Sequence, residues 1–169
     1  MKKIIILFFV LGSFLCGFAQ KPADQPYNPN QDIRTDVKKA VAKAKAESKH
    51  VLIQWGGNWC PWCIRFHNLV GTEPRLDSIM KKDYVYILAN VPKEKDKRDF
   101  QLYKDFGYPV RFGFPVFVVL DGNGKQLHIQ DSGLLEYGKT PGYDTAKVEN
   151  FLRMWNVKAL DPATYEKMK

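Results

Sequence analysis

Cysteine is scarce in this 169-residue sequence, which contains only Cys16, Cys60 and Cys63. Small secreted proteins that depend on disulfides for their stability carry several spaced pairs, so the sequence excludes a scaffold of that kind. Histidine is equally rare, with three residues. A closed structural zinc site uses four protein ligands, so this composition provides few candidate ligands for one. The close pair Cys60 and Cys63 therefore indicates local chemistry.

A long hydrophobic run occurs only at the amino terminus, between Ile4 and Phe18. It follows two lysines, precedes the small residue Ala19, and is shorter than the roughly 20 apolar residues that span a bilayer. This order is typical of a secretory signal peptide. We predict that residues 1–19 are removed on export and that no stable membrane insertion remains. A membrane tether formed by an uncleaved signal is the alternative.

The sequence also lacks a concentrated charge of one sign. Its formal net charge is +8 and falls to +6 without Lys2 and Lys3, since the predicted signal contains no acid. The remaining lysines are scattered among acids and apolar residues, as in KKAVAKAKAESK. Such a pattern is typical of a solvated surface, so we expect no nucleic-acid partner. The mature length of about 150 residues suits one domain.

The hydrophobic pattern predicts alternating helices and strands after a lead-in. Residues 20–31, rich in Pro, Asn and Gln, predict a flexible segment without a core. Residues 32–155 predict one α/β domain with a mixed sheet between helices, and 156–169 predict a C-terminal tail. Helices are predicted at 32–50, 60–69, 73–82, 99–106 and 144–155, and strands at 51–55, 83–91, 115–121 and 125–130.

The motif Cys60-Pro61-Trp62-Cys63 follows a predicted strand and begins a predicted helix. A helix amino terminus offers free N–H groups and positive potential, which stabilise a thiolate. Two cysteines at this spacing in this place indicate a redox pair. We expect Cys60 to attack a substrate disulfide and Cys63 to resolve the mixed disulfide. No cofactor is needed, because the dithiol itself carries two electrons.

The sequence resembles the thioredoxin superfamily, and most closely its extracytoplasmic members, over about residues 32–155. The resemblance rests on WCPWC after VLIQW, and on Gly113-Phe114-Pro115 before VFVVLD and the turn DGNGK. It implies a thioredoxin fold, here with an extra N-terminal helix. It also implies that Pro115 is a cis proline facing the dithiol and that Phe114 contacts the substrate.

The two tryptophans beside the thiols, Trp59 and Trp62, are expected to form an exposed apolar docking surface for substrates. The sequence departs from the usual thioredoxin pattern in three respects. Gln54 stands where a buried acid is common, so the proton of Cys63 is expected to pass to water or another group. Pro61 with Trp62 replaces Gly-Pro and tunes the redox poise, and Ile64 replaces a frequent lysine.

Other roles for the cysteine pair remain open. Cys60, Cys63 and His67 fall broadly on one helical face, but they supply three ligands where structural zinc needs four. We therefore expect no metal, and treat His67 as a possible modulator of Cys63. A purely structural disulfide closes too short a loop to stabilise much. A non-enzymatic module that binds a metal or a protein is the last alternative, because fold alone does not fix function.

The sequence therefore predicts an exported thiol–disulfide oxidoreductase. The resemblance favours a reductase, with a disulfide oxidase or isomerase as the alternative. Expected partners are substrate proteins that contain cysteines and an extracytoplasmic or membrane redox partner that resets the pair. The expected location is the periplasm of a Gram-negative bacterium, with secretion as the alternative.

Overall fold

The computed structural model describes residues 25–166. The predicted signal peptide, residues 1–19, lies outside this range, as do the first residues of the lead-in and the last three residues of the tail. Among the described helices, none has the length and apolar character needed to cross a membrane.

Helices and strands alternate along the described chain close to their predicted positions. Asp32, Asp99 and Asp144 each cap the amino terminus of a helix, as short polar side chains commonly do. The predicted tail contains two further short helices. The elements are α1 Ile33–Glu47, β1 His50–Gly56, α2 Pro61–Thr72, α3 Pro74–Asp83, β2 Tyr84–Asn90, α4 Phe100–Asp105, β3 Val116–Leu120, β4 Gln126–Asp131, α5 Thr145–Met154, α6 Val157–Leu160 and α7 Pro162–Glu166.

The four described strands form one mixed sheet in the order β2-β1-β3-β4. Strand β1 pairs in parallel with β2 and antiparallel with β3, and β3 pairs antiparallel with β4. Gln54, in β1, lies opposite Leu88 of β2 and Phe117 of β3. The predicted mixed central sheet is confirmed, and its central strand ends directly before the cysteine motif.

Helices cover both faces of the sheet, which confirms the predicted sandwich. Helices α1 and α4 pack with Val51 and Ile53 of β1 on one face. Helices α2, α3 and α5 pack with Leu52 on the other face. Every residue of β1 is buried, as expected for a strand enclosed on both sides. Gln54 is the one polar side chain on this strand, apart from His50 at its start, and a buried amide is expected to have hydrogen-bond partners.

The prediction of a lead-in without a core is wrong for residues 25–31. The Tyr27 side chain is only 2% exposed, and it packs against both cysteines. Its N–H donates to Asn58 Oδ1 (3.0 Å), and Asn58 Nδ2 donates back to the Tyr27 carbonyl (2.8 Å). Composition indicated disorder because the segment is polar, but one buried aromatic ring and paired hydrogen bonds hold it to the domain.

Gln31 attaches the same segment to strand β2. Its Nε2 donates to the Leu88 carbonyl (2.7 Å), and its Oε1 accepts from the Asn90 N–H (3.0 Å). The segment 25–31 is therefore bound both to the loop after β1 and to the outer edge of β2.

Candidate active site

Cys60 and Cys63 form a disulfide at the amino terminus of α2, with their Cα atoms 5.3 Å apart. Cys60 is the residue that caps the helix, and its Sγ accepts a hydrogen bond from the Cys63 N–H (3.2 Å). Pro61 occupies the first turn, where its missing N–H costs no helical bond. Cys60 is 5% exposed and Cys63 is fully buried, so Cys60 is the sulfur that a substrate can reach.

The helix end favours negative charge on Cys60 when the pair is reduced. The first turn of α2 contains no acidic residue, and the N–H of Cys63 already points at the Cys60 sulfur. Unpaired N–H groups and the helix dipole stabilise a thiolate in this position. The arrangement can therefore supply a nucleophilic sulfur at Cys60 and hold a second thiol behind it.

Phe114 and Trp59 form an aromatic border on one side of the disulfide. The Phe114–Pro115 peptide bond is cis, as the resemblance implied, and Phe114 packs against the cysteines. The ring of Trp59 meets that of Phe114 edge-on at 5.4 Å, and its Nε1 donates to the Val91 carbonyl (2.8 Å). Since Trp59 remains 37% exposed, this border offers apolar surface beside the disulfide.

The charged surroundings of this border were missed by sequence reasoning. The Arg98 guanidinium lies 5.4 Å from the centre of the Phe114 ring. A cleft of about 470 Å³ adjoins Trp59 and is lined in part by Lys93 and Lys97. The sequence shows these cations only as a charged loop, PKEKDKRD, and gives no sign that the fold brings them beside Trp59 and Phe114.

Trp62 is half-buried, which corrects its predicted exposure. Its ring meets that of Tyr143 edge-on at 5.4 Å, and the Arg65 guanidinium lies 5.1 Å from its centre. The Tyr143 hydroxyl donates to the Trp62 carbonyl (3.3 Å). The residue lies between the cysteines, yet the chain before α5 covers much of its ring. Only part of the Trp62 ring is thus exposed.

Gln54 lies behind Cys63, as its sequence position indicates, and joins two tyrosines that the sequence does not reveal. Its Nε2 donates to the Cys63 carbonyl (2.9 Å) and to the Tyr27 hydroxyl (2.5 Å). Its Oε1 accepts from the Tyr86 hydroxyl (2.5 Å). Burial raises the pKa of Tyr27 and that of Tyr86. Both hydroxyls therefore stay protonated at physiological pH.

His67 stacks on Tyr86, with the ring centres 6.1 Å apart. Within residues 25–166, no group of three or more His, Cys, Asp or Glu residues could hold a metal ion. His67 is therefore not gathered with Cys60 and Cys63 into a ligand set. Its contact with Tyr86 places it next to the residues that hold Gln54.

The sequence and the structure were each compared with known proteins. A family model described as thioredoxin-like matches residues 32–122. The structure is similar to that of a disulphide isomerase from Xylella fastidiosa Temecula1, with a TM-score of 0.65, 25% identity, and coverage of 77% of this chain and 95% of that one. It also resembles a thioredoxin from Thermus thermophilus, with a TM-score of 0.50, 21% identity, and coverage of 73% and 85%. No curated protein matches the sequence.

Proposed function

This chain belongs to the thioredoxin-like family, and we propose on that basis that it is a thiol–disulfide oxidoreductase acting on protein substrates through Cys60 and Cys63. One observation carries the proposal: the more exposed cysteine caps helix α2, and the buried one is bonded to it. This is the arrangement that a reactive thiol and a protected resolving thiol require.

The reaction runs in two exchange steps. The Cys60 thiolate attacks one sulfur of a substrate disulfide, forming a mixed disulfide, and the other substrate sulfur leaves with its electron pair and takes a proton. Cys63 then gives up its proton and attacks the Cys60 sulfur. The Cys60–Cys63 bond forms, the second substrate sulfur leaves, and two electrons have passed to the substrate.

Phe114 and Trp59 are proposed to hold the substrate beside Cys60, together with Pro115 and the exposed part of Trp62. Replacing Phe114 with alanine removes a ring that packs against the cysteines. We expect KM for a disulfide-containing peptide to rise about fivefold, with kcat nearly unchanged, because we expect truncation of this docking aromatic to cost about 1 kcal/mol of binding. Steady-state kinetics of peptide reduction measures the effect.

Phe112→Ala is the matched control for Phe114→Ala. Phe112 is also partly exposed, but its ring packs under the Arg111 guanidinium. The control is expected to leave KM within twofold of the wild type. Equal values of KM for wild type and Phe114→Ala would contradict a docking role for Phe114.

We propose reduction as the direction and the space outside the cytoplasm as the location. The direction follows from the resemblance, and the location from the predicted signal peptide, with the periplasm of a Gram-negative bacterium as the expected compartment. A redox partner there would reset the pair after each turnover. Isomerisation is the second candidate, because the Xylella protein is named a disulphide isomerase.

Reduction of insulin by dithiothreitol tests the proposed function. The purified wild-type protein is expected to accelerate precipitation of the insulin B chain well above the rate with dithiothreitol alone. A rate equal to that background would contradict an oxidoreductase and favour a binding module. Zinc present in equimolar amount in protein purified without added metal, and lost in Cys63→Ser, would support that module.

The reduction potential, measured by equilibration with glutathione, decides the direction. A value near −270 mV would support a reductase, and one nearer −120 mV an oxidase. A potential well below about −300 mV would instead mark the pair as a structural disulfide.

A further inference from the structure

The resolving cysteine of the proposed reaction must lose its proton inside the protein. Cys63 is fully buried, and burial disfavours a charged thiolate. Thioredoxin-like proteins often place an acid nearby, but here the corresponding residue is Gln54. Among the described residues, the buried polar side chains are His50, Gln54 and Ser132, so no carboxylate is buried near Cys63. Another group must favour the Cys63 thiolate.

The donor and the acceptor of each hydrogen bond around Gln54 follow from the chemistry of its partners. The Cys63 carbonyl can only accept, so the amide nitrogen of Gln54 must face it. The amide oxygen then faces Tyr86, whose hydroxyl must donate. The second amide proton is directed to the Tyr27 oxygen, which accepts it. Because the Tyr27 oxygen receives this bond, its own proton is available to another partner.

The Tyr27 hydroxyl and the Cys63 sulfur both lie close to the backbone of Gly56. A methyl group on Gly56 would place its carbon 2.4 Å from Cys63 Sγ and 2.9 Å from the Tyr27 oxygen. Both atoms therefore border the same small space beside the Gly56 Cα. Tyr27 also packs in one buried cluster with Cys60 and Cys63. Its ring is held there by the reciprocal hydrogen bonds between the Tyr27 backbone and Asn58.

We propose that Tyr27 stabilises the Cys63 thiolate of the mixed disulfide by donating its hydroxyl hydrogen bond to it. Tyr27 does not remove the proton, which passes to water; it stabilises the thiolate that remains. The thiolate then attacks Cys60, as in the proposed reaction. The inference rests on that proposed function and adds a residue from outside the segment matched by the family model.

The Tyr27 hydroxyl is the polar group best placed for this role. The Tyr86 hydroxyl is already donated to Gln54, and that of Tyr143 to the Trp62 carbonyl. Arg65 is exposed and lies over the Trp62 ring. The pKa of Tyr27 is raised, chiefly because the hydroxyl is buried. The hydroxyl therefore keeps its proton at the pH values at which the Cys63 thiol ionises. The titratable or charged groups around Cys63 on the surrounding elements are Tyr27, Cys60, Arg65, His67, Tyr86 and Tyr143.

Tyr27→Phe tests the inference, because it keeps the ring and removes only the hydroxyl. Reduced protein is mixed rapidly with oxidised glutathione, and tryptophan fluorescence follows a first phase of mixed-disulfide formation and a second phase of resolution. In Tyr27→Phe, the pH of half-maximal resolution is expected to rise by about one unit. The rate near pH 7 should fall about threefold, since a tenfold loss of thiolate is partly offset by higher nucleophilicity.

At pH values above the half-maximal pH of both proteins, the rate of resolution in Tyr27→Phe should equal or exceed the wild-type rate. A misplaced Cys63 would instead stay slow at every pH. Tyr84→Phe is the matched control, because it removes another buried hydroxyl, donated to the Leu152 carbonyl within a separate core cluster. Its pH profile should match that of the wild type.

The two proposals fail in different ways. A normal first phase with an unchanged pH profile of the second phase in Tyr27→Phe would overturn the role of Tyr27 alone. The absence of both phases in the wild-type protein would overturn the proposed function, and the role of Tyr27 with it.

Discussion

Replacing Cys60 with serine is expected to abolish catalysed insulin reduction, by more than about a hundredfold, leaving the rate with dithiothreitol alone. A serine hydroxyl stays protonated at neutral pH and does not attack a disulfide, whereas the Cys60 thiolate at the end of α2 does. The variant should fold normally, since the lost disulfide spans only two intervening residues and constrains little of the unfolded chain. Far-UV circular dichroism checks the fold.

Cys63→Ser separates the two roles within the pair. It keeps the nucleophile and removes the resolving thiol, so it should form a covalent adduct with a substrate chain and release it only slowly. Mass spectrometry under non-reducing conditions detects the adduct. Insulin reduction by Cys60→Ser at the wild-type rate, or adducts on Cys60→Ser instead of Cys63→Ser, would show that the assigned roles are wrong.

Gly56→Ala is expected to destabilise the protein by about 3 kcal/mol, which corresponds to a fall in Tm of roughly 6–12 °C. The new methyl carbon would lie 2.4 Å from Cys63 Sγ and 2.9 Å from the Tyr27 oxygen. Neither atom can retreat easily, because Cys63 is bonded to Cys60 and the Tyr27 hydroxyl to Gln54. Thermal denaturation of the oxidised protein measures the loss.

Gly71→Ala serves as the control for Gly56→Ala. A methyl group there meets no atom within 4 Å, and the position lies in helix α2. Alanine should therefore raise stability by about 0.5–1 kcal/mol through its better helix propensity. If Gly56→Ala melted at the wild-type temperature, the packing of Tyr27 and Cys63 around Gly56 would be looser than the structure indicates.

The sequence was sufficient to predict the main elements that hold the dithiol. The apolar run VLIQW and the motif CPWC carry local signals, because strand burial and helix capping depend on neighbouring residues. The cis bond before Pro115 was implied by the resemblance to thioredoxins. The sheet, the covering helices and the cis bond at Pro115 are accordingly present. The position of Gln54 behind Cys63 followed from the resemblance, since thioredoxins often have a buried acid at this strand position.

The residues that complete the site could not be predicted in the same way. Tyr27 and Tyr86 lie 27 and 32 positions from Gln54 in the chain, and nothing in either local pattern indicates a shared hydrogen-bond network. Tyr27 stands in a polar segment whose composition favours disorder, so only tertiary packing reveals its burial. Trp62 was misjudged for a related reason, since its cover, Tyr143, comes from a distant loop.

The contact of Gln31 with strand β2 has a consequence for solubility. The Leu88 carbonyl and the Asn90 N–H face away from β1, and they are two of the groups that an additional strand would use to join the sheet. The Gln31 amide occupies both, as a peptide group of a neighbouring strand would. One side chain thus blocks the last part of β2 against pairing between molecules. A chain shortened beyond residue 31 would expose that part of β2 and is expected to self-associate.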